Sequence, residues 1–310
     1  MPLSCLSHVK RNLNNNDNQT RPPPPPYAVF AGWTGDRSGS MCSMDGTHGP
    51  ALYDWIKDTC DQARNLEQQC FITVSTFDDS HDVHFLNTPY SNCSVSLETT
   101  NRWTKPRGMT KLYDSAYKDL RALQKAAEQY RENLPPSVKK LNPKITVTWS
   151  LMTDGEDNSS TLCNARMLAE CVKEARDKGV VCFFLAANCD GVATGESYGF
   201  DANTSLTFSA NRECSDNAFR GISAQMRNVT SGSSDVTIPL CLRQSSCPAA
   251  TIHNNDSDDD LSIAMNVPLT APPAAAAPVL NGLFQPPQIS RQQNNLYWRN
   301  GRPIIRHSGR

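Results

Sequence analysis

Apolar residues in the middle of the chain follow two rhythms. Continuous runs of strand length occur at YAVFAGW (27–33), CFITVSTF (70–77), KITVTWSLM (144–152) and VVCFFLAA (180–187). Their β-branched and aromatic content predicts buried strands. VHFL (83–86) follows the polar stretch DDSHD and reads as a hairpin partner of 70–77. The intervening segments carry apolar residues at helical spacing: Leu52, Trp55, Ile56 and Ala63 within 50–69, and Leu112, Ala116, Leu120, Leu123 and Ala127 within 112–133. Pro135-Pro136 stops the second of these, and a further helix is expected at 160–178. Strand–helix alternation of this kind predicts an α/β fold, a Rossmann-like doubly wound and mostly parallel sheet with helices on both faces. In such sheets ligands bind outside the carboxyl ends of the strands, so chemistry is sought there.

The ends of the chain lack both rhythms. Residues 1–26 hold the Asn-rich NLNNNDN and five consecutive prolines, a composition expected of a flexible arm with a stiff polyproline spacer. From about Ser231 come SGSSDV, the acidic NNDSDDD, APPAAAAP and QPPQISRQQNN, without helical or strand period. The expected organisation is therefore an arm at 1–26, one folded domain at 27–230 and a low-complexity tail at 231–310. Hydrophobic residues make up 38% of the 310, below the roughly 45–50% of globular chains, as two disordered tails would require.

Thirty Lys and Arg against thirty-one Asp and Glu leave a net charge of −1, so no overall field favours nucleic acid or an anionic membrane. No run reaches the roughly 18 apolar residues of a membrane span, and the first residues have no apolar core of a secretory signal. An intracellular, cytoplasmic location is expected. Twelve cysteines include no C-x-x-C pair, and many lie within strand or helix patterns as small hydrophobes. There is no G-x-S-x-G elbow and no phosphate-binding G-x-x-x-x-G-K-[ST] loop.

Oxygen-bearing side chains gather at the predicted strand ends. Asp36, Ser38 and Ser40 follow the first strand, Asp154 follows 144–152 in a T-D-G turn, and Thr110 precedes the helix at 112. Two carboxylates and three hydroxyls, without Cys or His, form a hard donor set suited to Mg²⁺ or Mn²⁺. The D-x-S-x-S, distant Thr and T-D-G elements, in this order and at these junctions, resemble the von Willebrand factor type A (vWA) domain with its metal-ion-dependent adhesion site. Residues 183–210 look like the segment after the fifth strand in a microbial and phage-type branch of that family. Two departures stand out: Trp33-Thr34-Gly35 separate the apolar run from Asp36, and Met109 and Lys111 flank Thr110 where the family often has Gly and Pro.

The resemblance implies a metal held by the hydroxyls of Ser38, Ser40 and Thr110 and, directly or through water, by Asp36 and Asp154. It also implies a coordination position left open for a partner's Glu or Asp carboxylate. The expected function is a metal-dependent protein-interaction module rather than an enzyme. The alternatives are a regulatory subunit of an AAA-type ATPase and, after it, a Mg²⁺-dependent hydrolase. Arg37 and Glu156 in the site loops, and Tyr297 and Trp298 in the tail, are candidate partner-facing residues. The last pair sits in a segment, 286–310, with five arginines and no acid, around the hairpin-forming Asn300-Gly301. A second cluster, Asp78, Asp79, His81, Asp82 and His84, is expected to be a solvated hairpin tip rather than another metal site.

Overall fold

The structure, a computed structural model, describes residues 27–233, 235–247, 298–299 and 302–303. The arm at 1–26, Tyr297 and the acidic and Ala/Pro-rich stretches lie outside the described residues. The chain divides into two units, Met1–Ser257 and Asp258–Arg310.

In the first unit the elements run β1 (Ala28–Asp36), α1 (His48–Asn65), β2 (Gln69–Phe77), β3 (His81–Pro89), α2 (Leu97–Trp103), α3 (Leu112–Asn133) and α4 (Pro136–Lys139). They continue as β4 (Ile145–Thr153), α5 (Ala165–Asp177), β5 (Val181–Ala187), α6 (Gly191–Ser197), β6 (Ser205–Phe208), α7 (Arg212–Thr230) and α8 (Leu240–Ser246). Six strands form one sheet in the order β3-β2-β1-β4-β5-β6. All neighbours are parallel except the β2–β3 pair, which is antiparallel. The expected doubly wound, mostly parallel sheet is observed.

Strand residues alternate between two cores because successive side chains leave opposite faces of a strand. Val29, Ala31 and Trp33 of β1 and Phe183, Leu185 and Ala187 of β5 pack with Leu52, Trp55 and Ile56 of α1 and Ala218, Phe219 and Ile222 of α7. Ala28 and Phe30, with Cys182, Phe184 and Ala186, pack instead with Leu112, Leu120 and Leu123 of α3 and Leu168 and Val172 of α5. Burial on both faces is why these strands read as continuous apolar runs rather than alternating ones.

Three features differ from the sequence reading. First, β1 does not stop at Trp33: Thr34 and Gly35 continue the ladder, with Thr34 opposite Leu151 and Gly35 opposite Met152. Thr34 is tolerated inside because its hydroxyl donates to Asp119 of α3 (2.8 Å) and accepts from the Trp149 indole (2.9 Å). Second, α2, α6, α7 and β6 were not expected as separate elements. The polar composition of α7 obscures the stripe of Ala218, Phe219, Ile222, Met226 and Val229, all buried.

Third, the folded unit extends past the expected boundary at residue 230, through Cys247. Ile238 is buried, and its N–H donates to the Asn203 carbonyl (2.9 Å). Leu242 of α8 rests on Gly221, where an added Cβ would meet the leucine side chain. Arg243 donates to the carbonyls of Ser205 and Ala202 (2.7 Å each), occupying polar groups at the β6 edge of the sheet.

In the second unit, β7 (Trp298–Arg299) and β8 (Arg302–Pro303) are antiparallel, with Trp298 opposite Pro303 and Arg299 opposite Arg302. Among the described residues, no helix is long and apolar enough to cross a membrane.

Candidate metal centre

The connections leave β1 and β4 in opposite directions along the sheet, so these neighbours form its topological switch point, where a crevice opens at the carboxyl ends. β1 ends on Asp36 and β4 on Thr153, the next pair along after Gly35 and Met152. The register therefore sets the Thr153 hydroxyl against the Asp36 carboxylate, and it donates to Asp36 Oδ2 at 2.6 Å. The other oxygen, Oδ1, accepts the main-chain N–H of Ser38 at 2.7 Å, closing a tight turn. That turn presents the next two hydroxyls. Ser38 Oγ and Ser40 Oγ lie 3.0 Å apart, and Ser40 Oγ donates to Asp154 Oδ1 at 2.7 Å. Four of the five residues expected from the sequence are thus joined in one oxygen cluster spanning two loops.

Thr110 enters from a third loop, which is stitched to both others through its main chain. Gly39 N–H donates to the Gly108 carbonyl (3.1 Å), and Arg107 N–H to the Arg37 carbonyl (2.8 Å). On the opposite side, the Thr110 carbonyl accepts from the N–H groups of Asn158 (3.0 Å) and Ser159 (3.1 Å), while Thr110 N–H donates to Asn158 Oδ1 (2.8 Å). Gly108 has φ of +68°, a conformation open to glycine at little cost, and this bend lets the loop turn past the serine loop. Met109 beside it is 54% exposed, and Thr110 is 4% exposed.

Helix α3 begins here without a capping side chain of its own. The T-D-G loop supplies the acceptors instead: Asp157 Oδ1 for Tyr113 N–H (3.3 Å) and Ser160 Oγ for Asp114 N–H (2.9 Å). In return, Asp114 accepts from the N–H groups of Thr161, Leu162 and Cys163 (2.7–3.1 Å). The exchange satisfies main-chain donors at a helix start and ties the loop carrying Asp154 to the helix following Thr110. Thr153, Asp157, Asn158, Ser160 and Asp114 were not singled out from the sequence. For those in 153–160 the signal was the density of Asp, Asn and Ser in TDGEDNSS, which invites side-chain to main-chain bonding without naming its partners.

The electrostatics of the crevice are those of negative charge short of compensation. Burial pushes the Asp36 carboxyl up to about 6 against the lowering bonds from Thr153 and Ser38, and the nearby Asp154 adds to the rise. Burial raises the Asp154 carboxyl as well, with the Ser40 bond opposing it. Neither carboxylate has a Lys or Arg within ion-pair distance among the described residues.

Arg37, expected to face a partner, instead points inward and is only 4% exposed. Its guanidinium donates to Asp78 (3.1 Å), Asp82 (2.5 Å), Ser80 (3.3 Å) and the Trp103 carbonyl (3.2 Å). The expected hairpin turn is present and Asp79 in it is exposed, but Asp78 departs from the expected solvation: it is fully buried and also accepts from Arg107 (2.5 Å). Burial alone would raise the Asp78 carboxyl, but bonds from Ser80 and Arg107 and the charge of Arg37 outweigh it and hold it well below the usual range. His81 bonds Asp119 (2.9 Å), and His84 bonds Thr76 (2.8 Å) and stacks on Trp103. Glu156 is exposed in the T-D-G loop. Tyr297 lies outside the described residues, and Trp298 is described only as part of β7.

Among the described residues, no three His, Cys, Asp or Glu side chains converge as a metal-binding group. A cation here would depend on hydroxyl donors beside the two carboxylates. The residues suit that demand: the donors are all oxygen, Asp36 is buried with a raised pKa, and the serine oxygens already lie at hydrogen-bonding distance from one another and from Asp154.

Residues 28–247 thus form a doubly wound sheet with one antiparallel edge strand, bearing the D-x-S-x-S turn at the end of β1, the T-D-G turn at the end of β4 and Thr110 between them, the arrangement that the resemblance to the vWA domain leads one to expect. No protein-family model matches the sequence, and no curated protein matches it. Among solved structures it is similar to the vWF domain of the type V pili tip protein Mfa5 from Porphyromonas gingivalis, with 12% identity and a TM-score of 0.44. That likeness covers 68% of this chain and 99% of the other. It is also similar to the SpRpn10 VWA domain, at 14% identity and a TM-score of 0.40, over 68% and 100% of the two chains. Proximal thread matrix protein 1 from the mussel byssus, solved with a zinc-occupied MIDAS motif, is 16% identical with a TM-score of 0.38. The match spans 67% of this chain and 46% of the mussel protein, less than half of its length.

Proposed function

We propose that the domain is a metal-dependent protein-interaction module. Asp36, Ser38, Ser40, Thr110 and Asp154 would hold Mg²⁺ or Mn²⁺, and an acidic side chain of a partner protein would complete the site. The observation that carries this reading is the hydrogen-bonded series Ser38–Ser40–Asp154 beside the buried Asp36, which joins the ends of β1 and β4 through oxygen atoms alone. A hard divalent ion bound there supplies charge compensation to two carboxylates and Lewis acidity toward an incoming carboxylate.

The chain's own residues do the rest. Thr153 and Ser38 N–H orient the Asp36 carboxylate, the 38–40 turn brings its two hydroxyls together beside Asp154, and the Arg37–Asp78–Arg107 cluster fixes the base of the loops. Neutral hydroxyl donors leave a bound ion with much of its charge, so a carboxylate from outside is the matching ligand. Glu156, exposed beside Asp154, would discriminate among partners by charge repulsion at the rim.

The test is affinity capture with the full chain in Mg²⁺, repeated in EDTA and with Asp36→Ala, read by mass spectrometry. Isothermal titration with Mn²⁺ accompanies it. Capture is expected only in the wild-type protein with metal; persistence in EDTA would sink the metal-bridge reading.

A further inference from the structure

Thr110 lies in the loop between α2 and α3, outside any helix or strand. Its hydroxyl can serve a cation only if its main chain is held in register with Asp154, which belongs to a different loop. Both main-chain polar groups of Thr110 bond to Asn158, and the carbonyl also accepts from Ser159 N–H (3.1 Å). Thr110 N–H donates to Asn158 Oδ1 at 2.8 Å, and Asn158 N–H donates to the Thr110 carbonyl at 3.0 Å. Two bonds between the same pair of residues resist both translation and rotation, as one bond would not. Asn158 stands four residues after Asp154, and Asp157 and Ser160 on either side anchor the same loop to the first turn of α3.

We propose that Asn158 is the positioning residue of the site: its side-chain and main-chain clamp sets Thr110 against Asp154, so that cation affinity depends on a residue that does not itself touch the cation. The proposal rests on the metal-site reading above. The amide side chain suits the task, because it offers an acceptor without adding a third negative charge beside Asp36 and Asp154. The clamp also links the two loops before any ion arrives, which lowers the ordering entropy of binding.

Four proteins separate the possibilities: wild type, Asn158→Ala, Asn158→Asp and Asp36→Ala, each titrated with Mn²⁺, with amide hydrogen exchange at Thr110 followed in EDTA. Asn158→Ala is expected to weaken Mn²⁺ binding about tenfold, the equivalent of one well-placed hydrogen bond, and to lose protection at the Thr110 amide. Asn158→Asp, which keeps the acceptor, should restore that protection.

A merely structural role is excluded by a double-mutant cycle. In a Thr110→Ala background, Asn158→Ala should cause no further loss of Mn²⁺ affinity, because its effect runs through the threonine hydroxyl. Should Asn158→Ala unfold, Asn158→Gln, which displaces the acceptor by one methylene, takes its place with the same expected loss. If Asn158→Ala binds Mn²⁺ as wild type does while Asp36→Ala binds none, the clamp proposal is overturned and the metal site stands. If wild type binds no Mn²⁺, both are overturned.

Discussion

Replacing Asp36 by Asn isolates the strain of a buried, uncompensated carboxylate. Asp36 is fully buried, and burial raises its carboxyl from 3.8 to about 6. The folded protein therefore holds this proton more tightly than the unfolded chain does, so deprotonation opposes folding. The contribution to stability is intact below the unfolded value and is lost as pH rises from about 4 to about 6. A rise from 3.8 to about 6 corresponds to about 3 kcal/mol. Asparagine cannot ionise, yet it retains an acceptor for the Ser38 N–H. In EDTA, wild-type stability relative to Asp36→Asn should consequently fall by about 2–3 kcal/mol between about pH 4 and about pH 7. Urea unfolding at a series of pH values, followed by circular dichroism, measures the difference between the two curves. Adding saturating Mn²⁺ at about pH 7 should reverse the order, because only the carboxylate gains from the cation. Parallel curves in EDTA would show that Asp36 carries no such penalty, and the argument from buried charge would fail.

Arg37→Met should lower stability by about 3–5 kcal/mol in EDTA, since it leaves Asp78 buried without one of its two cations; unchanged unfolding with selective loss of partner capture would restore Arg37 to the binding surface. Leu123→Ala, in the core between α3 and the sheet, is expected to destabilise by roughly 2–5 kcal/mol in the same assay. Arg243→Ala removes donors from the carbonyls of Ser205 and Ala202 and should lower stability by about 1–3 kcal/mol. It should also hasten protease cleavage after residue 230, whereas an unaltered digestion pattern would argue that α8 contributes little to the fold. Gly108→Ala places a Cβ 3.0 Å from Asp79 Oδ1 at φ +68°, and Mn²⁺ titration should show weaker binding as the Thr110 loop shifts.

The alternation of strands and helices was open to reading because period 2 and period 3.6 are local properties of the chain. So were the candidate ligands: D-x-S-x-S and T-D-G place their oxygens within a few residues of a strand end, and strand ends can be found from the apolar runs. Distance along the chain marks where that reading stops. Thr34 and Gly35 broke the apolar pattern, yet they belong to β1, because Asp119 and Trp149, more than eighty residues away in sequence, satisfy the threonine hydroxyl. Arg37 looked like a surface charge until the fold placed Asp78 beneath it. Residues 235–247 looked like the start of a tail, though Ile238 and Leu242 find apolar cover on the domain and Arg243 finds two carbonyls.

The sequence by itself determined which residues can donate oxygen to a cation and on which edge of the sheet they emerge. Only the tertiary structure decided which polar side chains gather at that edge and which distant groups hold them there. A polar group goes inside only where a partner meets its hydrogen bonds or its charge, and here those partners come from distant parts of the chain.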